Sequence, residues 1–262
     1  MIVSRRPQPP RAAPGPAGVV IQARIGSTRL PGKVLLDLGG QTVLSRVIER
    51  CRAVDGIAVV CCAVPEGTAD DPVATEAERC GARVVRGSEH DVLDRFRLAA
   101  EICGLEVVLR ITADCPLLDP AVCNGILRLQ RVTGADYVAN DMKLSWPRGL
   151  DCEAVTARWL RRAAAEASET ADREHVTRYI RRHPEVHWEH LPYLGKCHRH
   201  IRFTLDSEDD LRDLRRIVAA LPAGRAGWRY PEVLRIIAGD PSLSGRCAGR
   251  GPCDGLWTVP GV

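Results

Sequence analysis

Aromatic residues are scarce in this chain, only 4% of it, with Phe and Met at two each. Lysine is scarcer than its chemistry would suggest: of 37 Lys and Arg residues only Lys33, Lys143 and Lys196 are lysine. No run approaches the roughly 18 consecutive apolar residues of a membrane-spanning helix, and the opening MIVSRRPQPPRAAPGPAG lacks the apolar core of a signal peptide. The expectations are a cytoplasmic protein and no membrane partner. Cysteine is plentiful at 11, but CxxC pairs are missing and most thiols sit in apolar runs such as IAVVCCAV, the pattern of small buried groups in a reducing compartment. Cys197, His198 and His200, with His183, His187 or His190, come nearest to a zinc set, and their spacing fits no standard zinc module. The net charge is small, +4, and Arg5, Arg6 and Arg11 in the leading segment carry three of it. With no clustered basic face and no interleaved aromatics, nucleic acid is not an expected partner.

What is present is a soluble globular composition of 262 residues, 45% hydrophobic and 27% charged, enough for one large domain or two small ones. The first 17 residues are rich in proline and arginine without periodicity and read as a disordered tail. From Gly18 short apolar runs alternate with helical patterns: GVVIQA at 18–23, IAVVCCA at 57–63, ARVV at 82–85, EVVLRI at 106–111 and DYVAN at 136–140. Continuous apolar strands separated by helices predict an α/β fold with a mostly parallel sheet covered on both faces. Val43, Leu44, Val47, Ile48 and Cys51 form the buried stripe of the first helix, and Asp71-Pro72 and Asp119-Pro120 each suggest an N-cap acid before a proline. Ser88 to Asp91 resembles a capping box. After 141 the pattern predicts a helix over 156–182, a strand at HWEHL, and a strand RFTL leading into a helix whose stripe is Leu211, Leu214, Ile217 and Val218. A short helix is expected at 231–238, followed by an irregular tail over 241–262.

The most informative segment is VVIQARIGSTRLPGKVLLDLGG, a strand opening into a loop with Gly26, Gly32, Arg24, Arg29 and Lys33. Backbone amides and cations gathered at the carboxyl end of a strand suit phosphate. The spacing is not that of a Walker A loop, since Val34 takes the Ser/Thr position, and no GxGxxG fingerprint is present. A glycine-rich turn with solvated arginines fits the same residues. Asp114 closes the apolar strand VVLRITAD, where a carboxylate can hold a hard cation such as Mg²⁺ against phosphates, and Asp206 follows RFTL in the same way. Either aspartate could instead be a turn or helix-capping residue. Taken together they point to metal-assisted phosphoryl chemistry.

In order and separation, QARIGSTRLPGKVL, RGSEHDVLDRF, RITADCPLLDP, GLDCE, REHVTRYI and RFTLDSEDDL resemble the cytidylyltransferase family of the spore-coat polysaccharide biosynthesis protein F type, related to CMP-Kdo and CMP-sialate synthetases. The resemblance covers residues 18 to about 240. It implies a glycosyltransferase-A-like αβα sandwich that uses CTP and Mg²⁺ to convert a small acceptor to its CMP derivative, releasing pyrophosphate. By the same resemblance Gln22, Ala23 and Arg24 lie along cytosine and ribose, with Gly26, Ser27, Ser88, Asp91 and Thr112 on the nucleotide side. Arg29 and Lys33 grip the triphosphate, Asp114 and Asp206 hold the metal, and Arg29, Lys33 and Asp114 carry the catalysis. Asp151, Glu153, Arg173 and His175 fall around the acceptor, with His175 or Asp151 placed to assist deprotonation. A homodimer with an interface arm within 141–200 is a further implication.

The alternatives for the acceptor residues are an ordinary surface pair at Arg173 and Glu174 and a packed His175. Arg148, Arg173 and Arg178 favour an acidic acceptor. Ala113 stands where the family leads one to expect glycine, and Arg178 where it leads one to expect proline. The rival functions are a metal-dependent glycosyltransferase, against which no Asp-x-Asp follows a strand, and a catalytically silent nucleotide-binding partner, against which Lys33, Asp114 and Asp206 are intact.

Overall fold

The computed structural model describes residues 15–142, 146–193, 201–222 and 227–244. The Cys197, His198 and His200 group, Lys143, Lys196, the first 14 residues and those after 244 lie outside the described residues. A seven-stranded sheet runs in the order β3-β2-β1-β4-β6-β5-β7. Its strands are β1 Ala17–Gln22, β2 Val60–Pro65, β3 Arg83–Gly87, β4 Val107–Thr112, β5 Tyr137–Ala139, β6 Glu153–Thr156 and β7 Trp188–His190. β1 pairs in parallel with β2 and β4, β2 with β3, and β5 with β7; β6 alone runs antiparallel to both neighbours. This is the mostly parallel α/β sheet that the apolar runs predict.

Alternation along the strands feeds two cores. Val19 and Ile21 of β1 join Leu44, Val47 and Ile48 of α1 (Val43–Arg52), Val73 and Ala77 of α2 (Asp71–Arg79), and Ile126 and Leu127 of α4 (Pro120–Thr133). Val20 faces the opposite way, with Leu93 and Phe96 of α3 (Val92–Ile102), Trp159 and Leu160 of α5 (Ala157–Glu166), and Ile180 of α7 (Arg178–Arg182). Each fully buried side chain of this size contributes on the order of 1.5–3 kcal/mol. A third cluster joins Leu30 and Leu38 of the loop after β1 to Ile201, Phe203 and Leu205, to Leu211 and Leu214 of α8 (Glu208–Ala220), and to Val233 and Ile237 of α9 (Tyr230–Gly239). That cluster joins the loop after β1 to the late segment from 201 to 243.

Several expectations are corrected. The fold begins before Gly18: β1 starts at Ala17, and the Pro16 carbonyl accepts from Glu106 N at 2.9 Å, so the leading segment joins the sheet sooner than expected. Residues 156–182 are not one helix but α5, α6 (Thr170–Glu174) and α7, interrupted at Ala167, whose backbone is extended, and at Val176, whose φ of 54° is unfavourable for a β-branched residue. The segment RFTL is not a sheet strand. Its polar backbone is met by loops, with Phe203 N donating to the Arg148 carbonyl at 2.7 Å and Leu205 N to the Asp114 carbonyl at 2.9 Å, while Ile201, Phe203 and Leu205 alternate into the third core. Within the loosely patterned segment after 141, β6 enters the sheet between β4 and β5.

The capping details change as well. Asp119 caps α4 as expected, accepting from Ala121 N, but Asp71 is the first residue of α2 and Asp70 precedes it. Asp91, not Ser88, caps α3, accepting from Asp94 N at 2.9 Å. The tail from 241 opens with a short helix, α10 (Pro241–Ser244). Among the described residues, eight cysteines are free thiols and no helix is long and apolar enough to cross a membrane.

Candidate active site

A cleft of about 290 Å³ opens at the carboxyl ends of β1 and β4, where open α/β sheets bind ligands. Its walls include Gln22, Arg24, Gly26, Ser27, Arg29, Lys33, Thr112, Asp114 and Asp206, so residues picked from three separate sequence motifs share one cavity. Local physics folds the loop over the strand end. Gly32 N donates to the Ile25 carbonyl at 3.0 Å and closes the loop. Gly32 itself lies at φ 67°, a left-handed conformation that glycine adopts without strain, and it launches a single 3-10 turn, Lys33–Leu35. Buried Leu30 and Val34 anchor the two sides of Lys33 in different cores, and Asp70 Oδ1 accepts from Ile25 N at 2.6 Å. Gly26, Ser27, Thr28 and Arg29 are left facing the cleft.

At the floor, Lys33 Nζ donates to Asp114 Oδ2 at 2.8 Å, to Asp206 Oδ1 at 3.0 Å and to the Leu205 carbonyl at 2.7 Å. Asp206 is also approached by Arg29 and Arg202, each at 3.0 Å, and Thr112 Oγ1 donates to Asp114 Oδ1 at 2.6 Å. Burial works against the charged ammonium, but Asp114 and Asp206 outweigh it and hold the Lys33 pKa above the ordinary lysine value. At Asp206 burial favours the neutral acid, yet Lys33, Arg29 and Arg202 prevail and hold its carboxyl below the usual range. Ser207 and Asp210 form a reciprocal capping box at the start of α8, with Asp210 also accepting from Asp206 N, so Asp206 is fixed at a rigid helix entrance.

The donor set suits a hard divalent cation. Two carboxylates and a carbonyl already surround a positive charge, the Lys33 ammonium, in the manner of a stand-in ion. Among the described residues no three His, Cys, Asp or Glu side chains converge as a metal cage. A cation held by Asp114 and Asp206 would therefore need further oxygens from elsewhere, as magnesium commonly takes from substrate phosphates and water.

The other sequence-derived residues divide. Ala23 is buried beneath the loop, its N donating to the Ala63 carbonyl at 3.3 Å. Ser88 and Asp91 do not line the cleft: Ser88 Oγ accepts from Asp91 N at 3.3 Å, and Asp91 Oδ2 receives Arg173 at 3.0 Å. Their loop reaches the cleft through Glu89, whose carboxylate would lie 3.9 Å from a methyl group placed on Gly26. Asp151 accepts from Gly149 N at 3.0 Å, and burial, with Glu153 and Asp114 nearby, pushes its carboxyl up.

Glu153 is a buried hub. It is 4% exposed, accepts from Arg110 at 2.6 Å, Thr177 Oγ1 at 2.8 Å and the Tyr137 hydroxyl, and lies 3.7 Å from Arg181. Every direction around its carboxylate is thus filled by protein, so an acceptor-binding role is not what its surroundings provide. Arg173 spends its guanidinium on Asp91 and on the Ala164 and Ala167 carbonyls, tying α6 to α5 and the cap of α3. His175 is exposed at the end of α6, neither packed nor in the cleft wall. Of the arginines that suggested an acidic acceptor, Arg178 pairs with Glu169 and Asp172 at 2.9 and 3.2 Å, while Arg148 is exposed. Arg178 opens α7, the helical position that also suits proline.

Sequence reasoning missed Arg202, Arg110, Tyr137, Thr177 and Arg181. The one local signal was Arg110, a charge inside the apolar strand VVLRIT that requires a buried partner.

Residues 18–219 match the family model described as cytidylyltransferase. The spore coat polysaccharide biosynthesis protein SpsF of Bacillus subtilis is 34% identical over 208 residues, covering 75% of this chain and 83% of that protein. The 3-deoxy-manno-octulosonate cytidylyltransferase of Solibacter usitatus is 38% identical over 104 residues, 39% of this chain and 40% of its own. Among solved structures, a cytidylyltransferase from Leptospira borgpetersenii superposes with a TM-score of 0.81 at 27% identity, covering 87% of this chain and 95% of that one.

Proposed function

This chain belongs to the cytidylyltransferase family and is a nucleotidyltransferase; from that premise we propose that it transfers CMP from CTP to a small acidic acceptor, a sugar acid or related molecule of polysaccharide biosynthesis, and releases pyrophosphate. The observation that carries the reading is the convergence of Arg29 and Lys33 with Asp114 and Asp206 in one cleft, three cations with Arg24 against two carboxylates, a balance suited to a polyanion accompanied by a divalent cation.

In this reading the loop amides of Gly26, Ser27 and Thr28 cradle the triphosphate while Arg24, Arg29 and Lys33 neutralise it. Gln22 and Thr112 border the nucleoside, with Ala23 supporting from beneath and the loop from Ser88 to Asp91 closing the far side. Asp114 and Asp206 hold Mg²⁺, which when bound supplies charge neutralisation to the phosphate oxygens. The acceptor oxygen attacks the α-phosphorus in line, the bond to the bridging oxygen of pyrophosphate breaks, and the acceptor proton passes to Asp151 or water. Arg29 and Lys33 stabilise the departing charge, so positioning and electrostatics do most of the catalysis. Neither Asp151 nor His175 lines the cleft wall, but Asp151 lies within electrostatic range of Asp114 and its carboxyl is pushed up, whereas His175 is exposed at the end of α6, so Asp151 takes the deprotonating role in this proposal. Arg148, exposed beside Asp151, is the cation left for an acidic acceptor. The transferase domain in this proposal runs from the start of β1 to about residue 240, acts in the cytoplasm, and assembles as a homodimer.

The test is a thermal-shift titration with CTP, UTP, ATP and GTP, with and without Mg²⁺, followed by pyrophosphate release with a panel of sugar acids and neutral sugars. A ligand at a hundred times its Kd stabilises the native state by about 2.7 kcal/mol, an easily read shift. CTP-selective, Mg²⁺-enhanced stabilisation and acid-dependent pyrophosphate release are expected. No shift with any triphosphate would overturn the assignment, and faster turnover of neutral sugars would overturn the acidic acceptor.

A further inference from the structure

All three N–H donors of the Lys33 ammonium are spent on the oxygens of Asp114, Asp206 and Leu205. We propose that Lys33 is a built-in counter-ion that occupies the divalent-cation position in the nucleotide-free enzyme, so that the metal enters only when a triphosphate draws the ammonium away, and metal and nucleotide load as a unit. The inference rests on reading the cleft as a CTP site.

Residue chemistry supports it from the sequence upward. Lysine is one of only three in a chain that otherwise uses arginine for its basic residues, and it stands at the point where a compact ammonium fits among three oxygens. A planar guanidinium cannot direct its donors that way. The backbone at Lys33 is held by the Gly32 turn and by buried Val34, whereas the four-carbon stem is flexible, so the charge can move while the loop stays. Asp206 does not depend on Lys33 for its position, because Arg29, Arg202 and the capping box hold it from other directions.

Electrostatics then sets the order. With Lys33 shared between Asp114 and Asp206, and Arg29 and Arg202 also on Asp206, the two carboxylates are already compensated, and an incoming metal ion meets a resident cation on the same oxygens. Removing the ammonium into a partly buried cleft without a new partner is costly. CTP supplies that partner in its phosphates. Linkage requires the coupling to be mutual, so the metal strengthens CTP binding by the same factor as CTP strengthens metal binding.

The experiment titrates Mn²⁺ alone, with no nucleotide, into wild type, Lys33→Met and Lys33→Met/Asp114→Asn, following free Mn²⁺ by electron paramagnetic resonance. Lys33→Met is expected to bind Mn²⁺ at least tenfold more tightly than wild type, and the gain should vanish in the double variant. Equal or weaker Mn²⁺ binding by Lys33→Met overturns the proposal. A second measurement leaves the cleft intact: in Lys143→Arg/Lys196→Arg protein labelled with ¹⁵N-lysine, the one remaining side-chain ammonium should be slow to exchange, unmoved by Mg²⁺ alone and shifted by Mg²⁺ with CTP. A shift with Mg²⁺ alone equal to that with both also overturns it. The Mn²⁺ titration contains no nucleotide and does not depend on CTP selectivity, so failure of the CTP reading in the thermal-shift series is recognised separately.

Discussion

The floor of the cleft and the segment from 141 to 182 both carry acids and bases in close contact, yet they use them in opposite ways. At the floor, the carboxylates of Asp114 and Asp206 converge on the Lys33 ammonium in the wall of the cleft. In the other segment Glu153 is enclosed by Arg110, Arg181, Tyr137 and Thr177, and Arg173 is divided among Asp91 and two carbonyls. Both regions show a motif of acids and bases. What separates a ligand-facing charge from a strut is whether protein already occupies its remaining directions, a property of the packing and not of residue type.

The contrast can be broken or sharpened by substitution. Asp114→Asn should have the largest effect, lowering kcat on the order of a thousandfold while leaving the fold intact, against a loss of about ten- to a hundredfold for Arg29→Ala, whose guanidinium is largely exposed. Pyrophosphate release beside circular dichroism reads both. Next, Glu153→Ala should cost about 2–4 kcal/mol of stability, because it takes the buried carboxylate away from the partly buried Arg110 guanidinium and from Tyr137 and Thr177. Chemical denaturation that found Glu153→Ala near wild type in stability, but deficient only in acceptor KM, would return Glu153 to the acceptor site. The smallest effects are expected within REHVT: Arg173→Ala should lose about 1–2 kcal/mol through its ion pair and two carbonyl bonds, and His175→Ala less than about 0.5 kcal/mol. A kcat collapse in His175→Ala with unchanged melting would reverse the assignment of the base.

These differences also mark where the sequence could be read. The stripe of α1, the parallel strands β1 to β4 and the capping of α4 depend on spacing within a few residues and were legible. So were the cleft residues from Gln22 to Lys33, because one strand and one short loop deliver them together. The fate of Glu153 was not legible, since its partners come from β4, β5 and α7. The entry of β6 between β4 and β5 was equally hidden: its four residues carry too little pattern to announce an interior strand. RFTL shows true strand alternation, but nothing in those residues says that loops rather than a sheet edge receive its backbone.

The third hydrophobic cluster, which joins the loop after β1 to the region from Ile201 to Leu243, has a consequence for timing. Lys33 and Asp206 are 173 residues apart. As the chain leaves the ribosome, the sheet through β7 can pair before α8 and α9 exist, whereas the floor of the cleft is still missing one of its two acids. Architecture thus precedes chemistry along the chain, and the acid that completes the cleft floor is supplied only by its last quarter.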